Sequence, residues 1–307
     1  MGGEKVRCLV IFYLLFVLSL FSQTLYFSPK GDLALTVYDP FVVMEVTNIN
    51  EIGLFRIPES SCTLQVLSVQ LSKPGDLRDL VELIKIPSAS ESSIGLFKLD
   101  DLDIFVRKIS IITPQISTAG LQVIFTRERR VYIMTYYASE KEFFEHIVPA
   151  LLTMTSIKTN SLKQRYVNNE YGYSIYLAEP FKIVRTTIGE IGSFLAVKEK
   201  RVGYIQITKE QPGRSVNLLE YAELVQQNSL ENLAGYNLLA SGVNLVEGFD
   251  FFWRLFQFDS KGSFYRCLQV YTNYGQFFYT LTYMAEADDF DQFIVPAVRT
   301  VFSFKPK

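Results

Sequence analysis

Val131-Tyr-Ile-Met-Thr-Tyr-Tyr-Ala138 and Phe278-Tyr-Thr-Leu-Thr-Tyr-Met-Ala285 read as one strand written twice. Around them the match runs without a gap, Gly95 to Lys158 over Gly242 to Lys305, at a constant offset of 147 (305 − 158 = 147). Phe143 and Ile147-Val-Pro-Ala150 fall over Phe290 and Ile294-Val-Pro-Ala297. Leu121-Gln-Val123 recurs as Leu268-Gln-Val270, and Asp103, Phe105 and Arg107 recur as Asp250, Phe252 and Arg254. A match this long and free of gaps requires equal turn lengths in both copies, so it predicts one topology used twice. The length of 307 residues agrees, since a domain takes about 150.

Working outward, Asp250–Phe258, Phe264–Thr272 and Gln276–Tyr283 are aromatic and β-branched runs. Asp259-Ser-Lys-Gly262 and Asn273-Tyr-Gly275 separate them with turn chemistry, which predicts an antiparallel meander. In the third run Phe277, Tyr279, Leu281 and Tyr283 share one face, and Phe278, Thr280, Thr282 and Met284 share the other. Neither face is strongly polar, so helices must cover part of the second. Asn217-Leu-Leu-Glu220 has the form of a capping box ahead of Leu218, Tyr221, Ala222 and Val225, with Gly235 suited to the helix end. In the first copy Asp76 leads Leu77, Leu80, Val81 and Ile84, stopped by Pro87. A closing helix is predicted from about Glu286 to Arg299, broken at Pro296 as its counterpart is at Pro149. The fold class is therefore α+β, in two tandem domains, each an antiparallel sheet flanked by helices. Domain one covers 25–158 and domain two 165–307, with the boundary in Thr159-Asn-Ser-Leu-Lys-Gln164.

The first 24 residues follow another logic. Lys5 and Arg7 precede an apolar run from Cys8 to Phe21, with polar Ser22-Gln-Thr24 after it. This is the order of an export signal. The run is shorter than the ~20 residues of a membrane span, so retention as an anchor is the second choice. Residues 1–24 are read as a signal peptide or signal anchor, dispensable for folding, which places the chain outside the cytoplasm (periplasmic or secreted). Cys62 and Cys267 then remain in the mature chain at non-equivalent positions. An oxidising compartment would allow a disulfide between them, but two separate core thiols is the favoured reading. The net charge of −2 exerts no pull toward nucleic acid or anionic lipid. Basic Arg127–Arg130 and Lys198–Arg201 fall between strand-like runs and read as solvated hairpin tips.

A Tyr-x-Asn-x-x-x-Gly-Tyr-Ser-Ile opening (Tyr166, Asn168, Gly172, Tyr173, Ser174, Ile175) leads to a turn at Pro180 and Phe181, and the copy ends on Ser303-Phe-Lys305. The pattern resembles the PsbP-like superfamily, which includes the extrinsic PsbP subunit of photosystem II, the envelope protein DcrB and a Ran-binding nuclear-import factor. The resemblance covers nearly all of the second copy and the first more faintly. It implies an antiparallel sheet flanked by helices, and roles in binding or assembly. No family site residue transfers to a numbered position here.

Tests for chemistry return bland readings. His146, the lone histidine, aligns with Phe293 and has no nucleophile or orienting acid nearby in sequence; a partly buried helix residue is expected. One histidine and two mature cysteines do not supply a zinc site. Glu286-Ala-Asp-Asp-Phe-Asp291 lacks the glycine and distal glutamate of a calcium loop, and reads as helix-start acids. Asp103 and Asp250 read as strand-entry residues. Gly189-Glu-Ile-Gly192 lacks the rest of a nucleotide loop. Arg107 and Arg254, in apolar strands of both copies, are expected to face outward or to make an ion pair within the module. No catalytic, cofactor-binding or metal-binding residue is assigned, and no cofactor. The expectation is a non-catalytic, exported cell-envelope interaction or assembly protein. Its partner is an envelope protein, with no nucleic acid, and membrane contact comes only through an uncleaved leader. The alternative is a carrier of a small apolar or aromatic ligand in a sheet–helix or interdomain pocket. Polar residues peculiar to one copy and converging on a cleft would be the mark of an enzyme.

Overall fold

Tight turns set the frame. Lys261 and Gly262 both take positive φ (56° and 85°), the conformation a two-residue hairpin demands, and they join two of the longest strands. Glu128 (φ 55°) and Gly275 (φ 60°), separated by the repeat offset, turn the next hairpin in each copy.

The computed structural model describes residues 23–29, 33–84, 89–99, 101–112, 117–157 and 165–307. Of the leader read as 1–24, residues 1–22 lie outside the described residues, as do Pro87 and the expected boundary at 159–164, while Gln23 and Thr24 begin a strand paired with Tyr38 and Val37.

The strands in chain order are β1 (Gln23–Phe27), β2 (Ala34–Tyr38), β3 (Val42–Val43), β4 (Glu51–Arg56), β5 (Thr63–Gln70), β6 (Ala89–Leu99), β7 (Leu102–Ile112), β8 (Ser117–Arg127) and β9 (Arg130–Ser139). They continue as β10 (Arg165–Asn168), β11 (Tyr173–Tyr176), β12 (Lys182–Ile183), β13 (Glu190–Lys198), β14 (Arg201–Glu210), β15 (Asn237–Val246), β16 (Phe249–Ser260), β17 (Ser263–Tyr274), β18 (Phe277–Glu286) and β19 (Lys305–Pro306). The described α-helices are α1 (Leu77–Leu83), α2 (Ile147–Thr155), α3 (Leu218–Val225) and α4 (Phe290–Val301), and α3 runs on into a π-helical turn, Gln226–Leu230. One seven-stranded sheet has the order β3-β4-β5-β9-β8-β7-β6 and the other β12-β13-β14-β18-β17-β16-β15, the same order in the same sequence of elements. Both are antiparallel, so the class is α+β as expected.

Each sheet is covered on both faces. On one face lie α2 and α4, set against strand residues such as Val123, Met134, Leu281 and Tyr283. The Tyr136 hydroxyl donates to the Phe143 carbonyl (2.9 Å) and the Tyr283 hydroxyl to the Phe290 carbonyl (2.7 Å), so each copy ties sheet to closing segment by the same bond. On the opposite face α1 packs on Ile124, Val131 and Ile133, and α3 on Phe252, Tyr271 and Phe278. The capping box at Asn217 and Glu220 forms as the sequence predicts, and Asp76 caps α1 through the Arg78 amide.

The closing helices correct one expectation. Pro149 is the third residue of α2, within the first turn, where its missing N–H has no intrahelical partner to lose. Pro296, however, sits inside α4, which starts later than Glu286 and then runs continuously from Phe290 to Val301 without the expected break. Phe290, Phe293 and Ile294 are fully buried and hold the turn ahead of the proline, offsetting the lost bond.

Candidate functional site

The polar residues that recur in both copies are the natural place to begin. Arg107, Gln122 and Thr135 stand directly opposite one another on β7, β8 and β9, as do Arg254, Gln269 and Thr282 on β16, β17 and β18. Arg107 Nε donates to Gln122 Oε1 (2.7 Å), and Gln122 Nε2 donates to Thr135 Oγ1 (2.8 Å). Gln269 Nε2 likewise donates to Thr282 Oγ1 (3.1 Å). Both arginines are buried, so the outward-facing alternative fails: α1 and α3 occupy that face of each sheet. Arg107 makes the ion pair expected within the module, with Glu91 at 2.7 Å. Arg254 instead donates to the Ala222 carbonyl in α3 (2.6 Å) and lies over the Phe252 ring. Burial pulls the Arg107 pKa down while Glu91 and Glu82 pull it up. The first row ties strands of its sheet together and the second also ties its sheet to α3.

A second repeated device closes each module. Thr36 N donates to Ser156 Oγ (2.8 Å) and Tyr38 N to Thr153 Oγ1 (3.1 Å). In the other copy Tyr176 N donates to Ser303 Oγ (2.8 Å) and Ala178 N to Thr300 Oγ1 (3.1 Å). Two hydroxyls at the end of each closing helix thus satisfy amides of β2 and of the β11 region. Sequence reasoning passed over these pairs, although Thr153-Met-Thr-Ser156 over Thr300-Val-Phe-Ser303 was visible in the repeat.

The other candidates settle as follows. His146 precedes α2, half-buried, and burial lowers its pKa while Glu145 and Glu142 raise it. Cys62 and Cys267 are free buried thiols, each pushed up in pKa by burial, and they form no disulfide. Asp103 and Asp250 sit at the second residue of β7 and β16, at strand entry. Among the described residues no group of three His, Cys, Asp or Glu side chains converges to hold a metal ion. The helix-start acids do not cap. Asp289 makes no side-chain bond to α4 and lies 3.4 Å from Arg201 Nε. Asp291 reaches Lys108 at 2.7 Å and Arg266 at 3.8 Å.

Glu142, the repeat counterpart of Asp289, gathers three serines instead. Ser60 Oγ (3.1 Å), Ser139 Oγ (2.8 Å), Ser61 N (3.3 Å) and Ser61 Oγ all donate to its carboxylate. The Ser61 and Ser139 bonds hold its pKa down at about 2, against the usual 4.5. A carboxylate lowered in the folded state stabilises at pH above its unfolded value, and that contribution is lost as pH falls toward 2. Glu142→Gln is therefore expected to lower the urea midpoint at pH 7, with the gap to wild type closing between pH 4.5 and 2. A gap of equal size at pH 7 and pH 2.5 would show that the serine web does not hold the ionised form.

The two sheets meet through these same elements. Lys108 on β7 pairs with Asp291 on α4, and Arg266 on β17 lies 4.5 Å from the Phe144 ring centroid. Lys198, expected at a solvated tip, instead donates to the Ile94 carbonyl and lies over Phe97. Trp253 Nε1 donates to Asn244 Oδ1 (2.8 Å), and Asn244 Nδ2 reaches the Asp39 carbonyl (3.4 Å). One buried apolar cluster runs through both sheets, with α2 packed on α4.

Where the ends of α2 and α4 come together they leave a cleft of about 370 Å³. Equivalent positions face into it in pairs, Leu152 with Arg299, Thr155 with Phe302 and Ser156 with Ser303, as they would about a two-fold axis. Gln23, Thr36, Tyr38, Ile157, Val246, Glu247 and Val298 complete the wall. Burial and Glu247 push the Tyr38 pKa up to about 12, against Arg299, so the phenol is neutral at pH 7. Arg299 lies over the Tyr176 ring at 5.4 Å, and Lys305 pairs with Glu247 at 2.7 Å. Of the two charged groups lining this cleft, Arg299 is peculiar to the second copy, whereas Glu247 has an acid, Asp100, at the equivalent position of the first. The cleft serines, however, already accept backbone amides, and a phenol raised in pKa is no base at neutral pH. The aromatics between Phe249 and Tyr283 do not line it; Phe251, Trp253, Tyr271 and Tyr279 fill the cores.

No family model matches the chain, and no curated protein matches it in sequence. Solved structures do. Cyanobacterial PsbP (CyanoP) from Synechocystis sp. PCC 6803 is 12% identical, over 49% of this chain and 96% of that one, at a TM-score of 0.36. LpqN of Mycobacterium tuberculosis, described as involved in cell envelope biogenesis, is 13% identical over 47% and 90%, at 0.34. The immunity protein TplEi of the Pseudomonas aeruginosa T6SS is 12% identical over 87% and 97%, at 0.27. CyanoP belongs to the group that the sequence pattern resembles, and it is matched over about half of this chain. Likenesses at these identities and TM-scores assign neither a family nor a role to this chain.

Proposed function

We propose that the chain is a non-catalytic, exported cell-envelope interaction or assembly protein. It consists of two PsbP-like domains, 25–158 and 165–307, behind a signal peptide or anchor at 1–24, and its partner is an envelope protein. The observation that carries this reading is the use made of the polar groups common to both copies. Tyr136 and Tyr283, Thr153 and Thr300, Ser156 and Ser303, and Gln122 and Gln269 all make scaffold bonds. What the duplication preserves is a shape. The leader, with Lys5 and Arg7 ahead of its apolar run, supports export. Among the described residues no helix is long and apolar enough to cross a membrane.

The test is made on the tagged full chain in cells. It should be digested by protease added outside the cytoplasmic membrane, and crosslinking in the envelope fraction should give one defined adduct. Protection from that protease, or turnover of an envelope substrate by the purified chain, would overturn the reading. A second reading, a carrier for a small ligand between the domains, is favoured by the cleft at the α2–α4 junction, which has the size of a small-molecule site.

A further inference from the structure

We propose that the tip joining β12 to β13, residues 182–189, dips into an anionic lipid surface. Ile183 and Ile188 enter the apolar layer, and Lys182 and Arg185 meet the phosphates above it. The contact is separate from any protein partner.

The first support is the form of the tip. Glu190 Oε2 accepts from the Thr187 amide (3.0 Å), the Tyr204 hydroxyl (3.0 Å) and the Ser193 hydroxyl. The Val184 amide donates to the Ser193 carbonyl (3.0 Å), so both sides of the loop are braced. Gly189 has a positive φ of 88°, and a Cβ built on it would meet nothing within 4 Å. The tip is therefore stiff and stands clear. Ile188 is fully exposed on it and Ile183 is 55% exposed. A convex point of this kind suits a deformable layer better than a pocket does.

The second support is repetition. Single exposed apolar residues are common and decide nothing alone. Counting back from Glu51 and Glu190, which open β4 and β13, Ile49 of the first copy is the equivalent of Ile188, and it is 83% exposed. Both copies thus hold an isoleucine out in water at the same turn, where a polar residue would serve the fold as well. The first copy adds exposed Val42, Val43 and Met44 beside it.

The third support is charge, and it selects the second copy. Counting forward from Phe41 and Phe181, Lys182 stands where Val42 does and Arg185 where Glu45 does. No acid lies between Glu179 and Glu190, and Glu190 is committed to bracing the loop. Lys182 and Arg185 are exposed, and among the described residues neither makes an ion pair. Two cations flanking two isoleucines match a surface that carries negative charge over an apolar layer. The net charge of −2 does not oppose this, because salt confines each charge to a range of about 8 Å.

The test uses the full chain in vesicles with brominated acyl chains, made of phosphatidylcholine alone or mixed with phosphatidylglycerol. Ile188→Trp puts a fluorescent reporter on the tip that reads it alone, whatever the leader does. Buried Trp253 gives the background, measured in the unsubstituted chain. On the anionic vesicles bromine should quench the added tryptophan at least about twofold more than on the neutral ones, since each cation near such a surface favours contact. Lys182→Gln with Arg185→Gln should bring quenching down to the neutral level, and Ile183→Asp should abolish it on both. These side chains are exposed, and unchanged Trp253 emission and unfolding midpoints check that the variants fold. No quenching beyond that of Trp253 would overturn the contact. Equal quenching on both vesicles, with the double variant silent, would overturn the anionic assignment. An Ile188→Asp variant that loses an envelope crosslink, while the tip shows no quenching, would give the tip to a protein partner and sink the proposal.

Discussion

Phe290→Ala should lower the unfolding free energy by about 3–5 kcal/mol. The ring is fully buried, with its centroid 4.9 Å from that of Tyr283, and Arg266 caps its far side at 5.5 Å. Truncation removes this burial and leaves a void between a sheet and a helix that are both pinned. The Tyr283 hydroxyl still holds the residue 290 carbonyl, so collapse around the void is restricted. Urea denaturation followed by fluorescence of Trp253, the single tryptophan, reads the change directly. Tyr283→Phe, which removes only the hydroxyl bond, should cost about 1 kcal/mol. A loss below about 1 kcal/mol for Phe290→Ala would mean that α4 does not seal the sheet.

Arg107→Ala should cost roughly 3 kcal/mol, the low end for breaking a buried ion pair, because the Glu91 side chain keeps 25% exposure and can rehydrate. The deletion also strands Gln122 Oε1, whose partner it was. The pair is separable by a double-mutant cycle. Glu91→Ala in the Arg107→Ala background should cost clearly less than Glu91→Ala alone, since the contact between the two is then already gone. Strict additivity of the two would show that the 2.7 Å contact carries no energy.

The central hairpins were legible because their information is local. An alternating strand, a turn of Lys261-Gly262 type and a repeat free of gaps fix register without knowledge of anything across the fold. The capping box at Asn217 was legible for the same reason. Arg107 was legible in part, through its ion pair with Glu91, and Arg254 was not, since a period of two assigns a residue to a face but cannot say that a helix will cover it. Asp291 stands in the first turn of α4, as a helix-start acid, but its pairing with Lys108 was not legible because the two are 183 residues apart. An interdomain pocket stood among the expectations but its lining did not: Tyr38, Leu152 and Arg299 become neighbours only when the two sheets dock. Its one trace in the sequence was the exchange of Leu152 for Arg299 within an otherwise well-matched closing segment.

The apolar cluster that passes from one sheet to the other has a mechanical consequence. Its members include Leu151 and Met154 of α2 beside Ala297 and Val301 of α4, so the surface each half would show alone is interior in the whole. The two halves therefore do not behave as beads on a string that unfold in turn. They form an internal dimer, whose tether holds the second half at high effective concentration near the first. Severing the chain between them would leave two pieces still docked, and dilution would set how long they stay together. Pulling on the two ends should likewise meet one strong event, the parting of α2 from α4, before either sheet begins to unravel.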